Sequence, residues 1–439
     1  MKVRGIGAFG PFVHLAANLL TPCSAAPTAT VPAEFQPNTR VGPGGARFKD
    51  HPHFRIYGAP SDTIADNAGR QLEAAYSCFV GDLGWRSPGV SFWTTDQDAG
   101  PFYKVNVYSV EPSVVGGAAA NTPLDMGAGL AYLNVVTRYL AEPGTTVHEF
   151  GHALTYAARW WINQTMTGAW WETTANFVAD TYLTSPRCAA ARARFSQPEG
   201  NTLADLKKVI GDSHQVLVDG TRNSGNYYQA WPFLAYLFYN PDATPGLGVT
   251  VFPDVWNKYK KNSGETPLHV LDRLVSEGGK GRIQDVVGRY WARMAFVDVG
   301  HAKMQALFNT QRRDIKYANL DTAAGGTGRY RVKTARQPRY MGANIVPLKA
   351  SGGTLGVNVT VASGAPFVAT LAVKGAGGSV RYVELPRGSG QTTVASGEEA
   401  MLVVVNTPAT LYMYDPFSIS REAGQGLDYQ VQLTGATAV

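Results

Sequence analysis

A chain of 439 residues that is 44% hydrophobic and 16% charged holds enough apolar material for two or three cores, which excludes a disordered or low-complexity protein. Its net charge of +6 comes from scattered Lys and Arg with no polybasic run, so neither a nucleic-acid footprint nor a nucleic-acid partner is expected. Beyond the N-terminus no apolar stretch reaches the roughly 20 residues of a membrane helix, and no membrane partner is expected either.

The elements in chain order begin with a secretory signal over residues 1–26: Lys2 and Arg4 lead, Ile6 to Leu20 is apolar, and Ser24, Ala25 and Ala26 offer a cleavage site. A secreted, extracellular protein is the expectation. Cleavage removes Cys23 and leaves Cys78 and Cys188, an even count suited to one disulfide in an oxidising compartment. Asn163-Gln164-Thr165 and Asn358-Val359-Thr360 are glycosylation acceptors if the host attaches sugars. Residues 27–50, rich in Pro, Gly, Ala and Thr, read as a linker or extended lead-in.

Order begins at His53. Phe54 to Tyr57 suggests a strand, Ile64, Ala68, Leu72, Tyr76, Phe79 and Val80 recur at helical spacing, and Tyr103 to Val110 and Leu130 to Val136 read as strands. After Pro143-Gly144, with Thr145 or Thr146 as N-cap, a helix carries His148-Glu149-Phe150-Gly151-His152. Histidines four apart share one helix face and can share a metal ion. Glu149, one residue or about 100° of turn from His148, stands beside the ion as a proton acceptor for its water. That is the division of labour of a zinc hydrolase.

Such a site needs a third protein ligand and an open position. Glu172 is the best candidate, twenty residues after His152, in a second helix over Trp171 to Leu183 that Ala175, Phe177, Val178, Ala179 and Tyr182 pack against the first. Asn176, one turn on, is placed to accept a bond from a histidine and fix its tautomer. His214, in Gly211-Asp212-Ser213-His214, is the rival ligand, although an exposed loop histidine describes it as well.

An HExxH helix followed at this distance by a helix-borne glutamate resembles the gluzincin, thermolysin-like metallopeptidases. The resemblance implies His148, His152 and Glu172 as Zn²⁺ ligands, Glu149 as general base, and a protein or peptide substrate; the family's aspartate four residues after the ligand glutamate is replaced by Asn176. From His53 to about Leu433 the run HFRIYG, YKVNVY, AYLNVV, VHEFGHAL and WWETTANFVAD is also similar to secreted microbial zincin-like proteins of unassigned function. In the zincin arrangement the strand before the active-site helix is the sheet edge that pairs with an extended peptide, which nominates Gly129 to Asn134.

From Trp171 to about Phe308 the pattern is mainly helical, with segments near Leu203 to Ile210, Gln229 to Tyr239, Val251 to Lys261, Leu268 to Glu277 and Arg282 to Val297. A metallopeptidase needs a donor for the developing oxyanion; Tyr228, Tyr227 and His214 are the candidates in that order. Gly325 to Gln337 is a Gly- and Arg-rich change of composition. Beyond it short alternating strands follow at Ile345 to Leu348, Leu355 to Val361, Val368 to Val373, Val380 to Leu385, Met401 to Val405, Leu411 to Tyr414 and Tyr429 to Leu433, the pattern of a β-sandwich. The expected fold class is α+β: a zincin-like domain over residues 51–325 and an all-β sandwich over 338–439. Appended sandwiches often contact glycans, an expectation from fold-level analogy alone. Two competing readings are a zinc hydrolase of polysaccharide and a carbohydrate-adhesion protein with structural zinc; an intact Glu149 argues against the latter.

Overall fold

The structure, a computed structural model, describes residues 31–94, 100–158, 165–279 and 281–439. The signal-like segment, Cys23 and the Asn163 acceptor lie outside these residues, while Asn358 is exposed on a strand. Among the described residues no helix is long and apolar enough to cross a membrane.

The N-terminal half opens with strands β1 (Phe48–Asp50) and β2 (Phe54–Tyr57), helix α1 (Asp62–Tyr76) and strands β3 (Val105–Val110), β4 (Ala120–Asn121), β5 (Leu124–Asp125), β6 (Leu130–Ala131) and β7 (Leu133–Val136). Helices α2 (Pro143–Ala157) and α3 (Gly168–Thr184) follow. One sheet runs in the order β1-β2-β3-β7-β4, with β2, β3 and β7 parallel and β1 and β4 antiparallel to their neighbours. The parallel centre is covered on both faces, and all four residues of β2 and of β7 are accordingly buried. The lead-in is no free linker. Phe35 is buried against His53, Tyr76 and Phe102, and Asn106 and Tyr108 of β3 donate to the backbone at Asn38 and Val41.

Helix α2 begins earlier than the threonines suggest. Pro143 occupies its first turn, where a missing N–H costs nothing, and the Thr146 hydroxyl instead donates back to the Leu140 carbonyl at 2.9 Å. Val147, Phe150 and Leu154 bury one face of α2, while α3 lies against another at a close approach permitted by Gly151. A disulfide joins Cys78, just after α1, to Cys188, with Cα atoms 5.1 Å apart.

Helices α4 (Ala189–Arg194), α5 (Leu206–Gly211), α6 (Asn226–Gln229), α7 (Trp231–Tyr239), α8 (Val251–Lys258), α9 (Pro267–Gly279), α10 (Ile283–Met294) and α11 (Ala302–Gln311) form the next region. Strands β8 (Leu320–Thr322), β9 (Arg329–Val332), β10 (Ala343–Ala350), β11 (Gly353–Thr360), β12 (Phe367–Lys374), β13 (Val380–Glu384), β14 (Ser389–Val394) and β15 (Glu399–Asn406) come after it, then helix α12 (Arg421–Gly424) and strands β16 (Gln430–Thr434) and β17 (Ala436–Ala438). The antiparallel sheets β13-β12-β15-β10-β17 and β14-β11-β16-β9-β8 face each other, which makes the protein an α+β structure with an all-antiparallel C-terminal region. The change of composition at 325–337 contains strand β9, which pairs with β8 as a hairpin.

One of these sheets is buried on both sides. Leu371, Val373, Leu402 and Val404 point between the sheets, whereas Ile345, Ala372, Met401, Val403 and Val405 join the core of the helical region. This explains the unbroken apolar run of β15. Trp291 of α10 donates from Nε1 to the Met341 carbonyl, and Ser213 and Ala343 exchange bonds across the same junction. The helical and sandwich regions therefore share a continuous core. Leu411 to Tyr414, expected as a strand, is irregular chain: Tyr412 packs on Tyr340, and the Tyr414 hydroxyl donates to the Val218 carbonyl.

Candidate metal centre

Helices α2 and α3 pack side by side and turn one face of each toward a common cleft. On α2 the spacing of four brings His148, His152 and Tyr156 into line; on α3 it aligns Gly168, Glu172 and Asn176. His148 Nε2 lies 3.2 Å from Glu172 Oε2, His152 Nε2 lies 3.4 Å from the same oxygen, and the two Nε2 atoms are 3.2 Å apart. A tetrahedral zinc ion with bonds of about 2.0–2.2 Å sets its ligand atoms about 3.3–3.6 Å from one another, so this triangle is close to that size. Among the described residues these three form the group of His, Cys, Asp and Glu able to hold a metal.

Hydrogen bonding fixes which histidine atoms face inward. The Asn176 amide nitrogen donates to the Tyr228 carbonyl at 2.5 Å, so its oxygen Oδ1 is the atom turned to His148 Nδ1 at 2.8 Å. Nδ1 must then carry a proton, and in the neutral ring Nε2 is a bare acceptor aimed at a carboxylate. Two acceptors at 3.2 Å repel unless a cation or a proton lies between them. Burial pushes the Glu172 carboxyl up, yet His148 and His152, which donate to it from Nε2 when their rings carry both protons, outweigh burial and hold the group well below the usual range. Burial likewise lowers His152, and the Glu172 carboxylate more than reverses this. The donor set of two imidazoles and a carboxylate fits Zn²⁺.

Glu149 stands beside the triangle and outside it. The Thr122 hydroxyl donates to Glu149 Oε2 at 2.6 Å, and the residue is buried at 6% exposure. A cavity of about 190 Å³ opens over the group, lined by Asn121, Thr122, Tyr156, Trp171 and Tyr228 in addition to the acids and histidines. The Trp171 indole N–H is buried there without a partner. Burial raises the Tyr228 phenol far above its ordinary value, with Glu172 adding to the effect, and raises Tyr156 for the same two reasons.

The remaining candidates separate. Tyr228 lines the cavity, held with Tyr227 in α6, whose carbonyls accept from Asn176 and Thr173. Tyr227 turns toward Tyr228 and Phe417. His214 is not brought to the site. It is half-buried, not exposed, at the junction with the C-terminal sheets, where its carbonyl accepts from Arg339 and burial together with Arg336 lowers its ring to about 4. The nominated edge Gly129 to Asn134 is also displaced: β6 pairs with β5 in a hairpin, and β7 is interior, covered by β4. The edge at the cavity is Ala120–Asn121, too short to carry a periodic signal. Sequence reading missed Thr122, Trp171 and Tyr156; only Tyr156 had a signal, its spacing of four from His152.

The model of a family described as a family of unknown function (DUF6055) matches residues 59–438. No curated protein matches. Among solved structures, the ZmpB metallopeptidase from Clostridium perfringens is similar over 21% of this chain and 19% of its own, at 17% identity and a TM-score of 0.15. This chain spans about a fifth of that protein's length.

Proposed function

We propose that this chain, which belongs to the family of unknown function DUF6055, is a secreted, zinc-dependent peptidase of gluzincin type. The observation that carries the reading is the triangle of His148, His152 and Glu172 at 3.2–3.4 Å with the Thr122-held Glu149 beside it. Those three residues would hold the ion. When bound, zinc supplies Lewis acidity that lowers the pKa of a water and polarises a carbonyl.

The chain's own residues do the rest. Thr122 occupies Glu149 Oε2, which leaves Oε1 as the atom that accepts the proton of the attacking water and returns it to the leaving amine. Tyr228 and Tyr156, held protonated by burial and the nearby carboxylates, are donors for the carbonyl oxygen as it gains charge. An extended peptide adds to the free side of β4, so that its backbone runs past the cavity. The disulfide suits an oxidising compartment and supports secretion.

The test is metal analysis together with cleavage of a peptide library. Zinc at one equivalent is expected, with Glu149→Gln keeping the metal and losing most activity. Loss of metal from that variant would make the carboxylate a ligand and overturn the scheme.

A further inference from the structure

Phe417 belongs to the C-terminal region in sequence and packs in space on Gly168 of the metal-site helix α3 and on Tyr227. It lies in the irregular chain between β15 and α12, in a turn where Phe417 N–H donates to Asp415 Oδ1 at 2.9 Å and Ser418 N–H to the Asp415 carbonyl at 3.0 Å. Gly220 N–H donates to the Pro416 carbonyl at 2.8 Å and ties this turn to the helical region. The residue is 50% exposed although these bonds fix the turn that carries it.

Its buried face rests on two glycines. A Cβ at Gly168 would stand 2.6 Å from the Phe417 ring and one at Gly220 2.8 Å from it. Neither glycine has a positive φ, so close approach is what requires them, by the ring at Gly168 and by the ring together with the Ala169 Cβ at Gly220. Gly168 is four residues before Glu172 on the same face of α3, about 6 Å along the axis. The ring thus packs on α3 one helical turn before Glu172.

A line of aromatic rings joins the two places. Phe417 meets Tyr227 at 6.0 Å, Tyr227 meets Tyr228 at 4.5 Å, and Tyr228 meets His148 at 6.5 Å between centroids. Tyr228 lines the cavity and is itself 40% exposed. Exposed aromatic surface beside a cavity, backed by close packing, is what a bulky apolar group buries against.

We infer that Phe417, with Tyr228, forms a substrate subsite beside the metal centre that takes a bulky apolar or aromatic side chain of the peptide, so that the C-terminal region contributes to specificity. This rests on the peptidase reading for the identity of the substrate.

The experiment compares zinc-loaded full-length protein with its Phe417→Ala and Phe417→Leu variants on a peptide library read by mass spectrometry. The preferred peptide and its serine-substituted partner are then measured individually. Wild type is expected to favour Phe, Leu or Met at one position near the cut, and Phe417→Ala to reduce the ratio of kcat/KM for the apolar over the serine peptide about 10-fold or more. Phe417→Leu restores most of the ratio, and wild-type zinc content and melting temperature in both variants establish that the fold is intact. An unchanged ratio, or a preference lost at no single position, overturns the subsite while leaving the peptidase reading in place.

If wild type cleaves nothing, zinc-loaded Glu149→Gln protein is used to enrich peptides from the same library. Apolar peptides enriched and then lost with Phe417→Ala support the subsite without the hydrolysis. No enrichment refutes both.

Discussion

Gly151 is where packing and chemistry meet, and its replacement by alanine separates them. A Cβ at this position would lie 2.8 Å from the Ala175 Cα, 3.1 Å from the Val178 Cβ and 3.3 Å from the Ala175 Cβ. Saturated carbons rest at about 3.5 Å or more, so α2 and α3 must part by about 0.7 Å at this level. The nearest atom is backbone and cannot swing aside. Crowding of this kind costs about 1–3 kcal/mol, whereas replacing glycine inside a helix returns about 1 kcal/mol, leaving a net loss of about 0–2 kcal/mol. The proposed metal site would be far less tolerant. His152 adjoins Gly151 and Asn176 adjoins Ala175, and metal–ligand distances hold to within about 0.2 Å. Gly151→Ala should therefore remain folded, with a small change in urea midpoint, while zinc affinity measured by chelator competition falls at least about 10-fold, the cost of disturbing a ligand's support. Ala175→Gly in the same background should not restore it, because the clash is with the main chain of α3, which trimming the side chain leaves in place. A Gly151→Ala protein that binds zinc as tightly as wild type would refute the claim that the helix separation sets the ligand triangle.

Glu172→Ala should fold yet retain little zinc after dialysis, while Asn176→Ala, which frees the His148 ring and the Tyr228 carbonyl, should lose about 10 to 100-fold in affinity or activity; full zinc in Glu172→Ala would remove the glutamate from the ligand set. Replacing both Cys78 and Cys188 by alanine opens a link between residues 110 apart. Closure entropy predicts a loss of about 5 kcal/mol and measured cases give about 2–4, so urea denaturation showing under about 1 kcal/mol would place the stabilisation elsewhere. Burial raises the Asp242 carboxyl, but bonds from Arg293 at 2.7 Å and Tyr236 at 2.8 Å outweigh it and hold the group below its ordinary value of 3.8. A pKa lower in the folded state gives stability that is present above about pH 4 and lost as pH falls through the folded value. Asp242→Asn should thus cost about 1–3 kcal/mol at pH 7, with the gap in urea midpoint from wild type closing below pH 4; a gap independent of pH would show that the charge is not what stabilises.

Local spacing was legible in the chain. Histidines four apart share a helix face whatever the rest of the molecule does, and the register of Gly168, Glu172 and Asn176 follows from the same geometry once α3 is a helix. The alternation of β11 was readable too, because its inter-sheet residues Leu355, Val357 and Val359 recur with period two, while β15 was legible as a short unbroken apolar run. Polar β14, with exposed residues alternating along Ser389–Val394, carried no apolar signal and went unseen.

What the tertiary structure alone decided is which distant segments meet at the cleft. Ala120–Asn121 is a two-residue strand, and only its pairing with β7 makes it the sheet edge and presents Thr122 to Glu149. His214 matched the chemistry of a ligand, but its place at the junction with the C-terminal sheets removes it from the site. Phe417 comes beside the metal-site helix α3 because the inner face of β10, β12 and β15 shares a core with the helices and carries the following turn onto Gly168 and Gly220. Spacing along a helix is imposed by backbone hydrogen bonds between near neighbours, whereas packing between distant segments follows from burial of apolar surface, which has no direction and leaves no local pattern in the sequence.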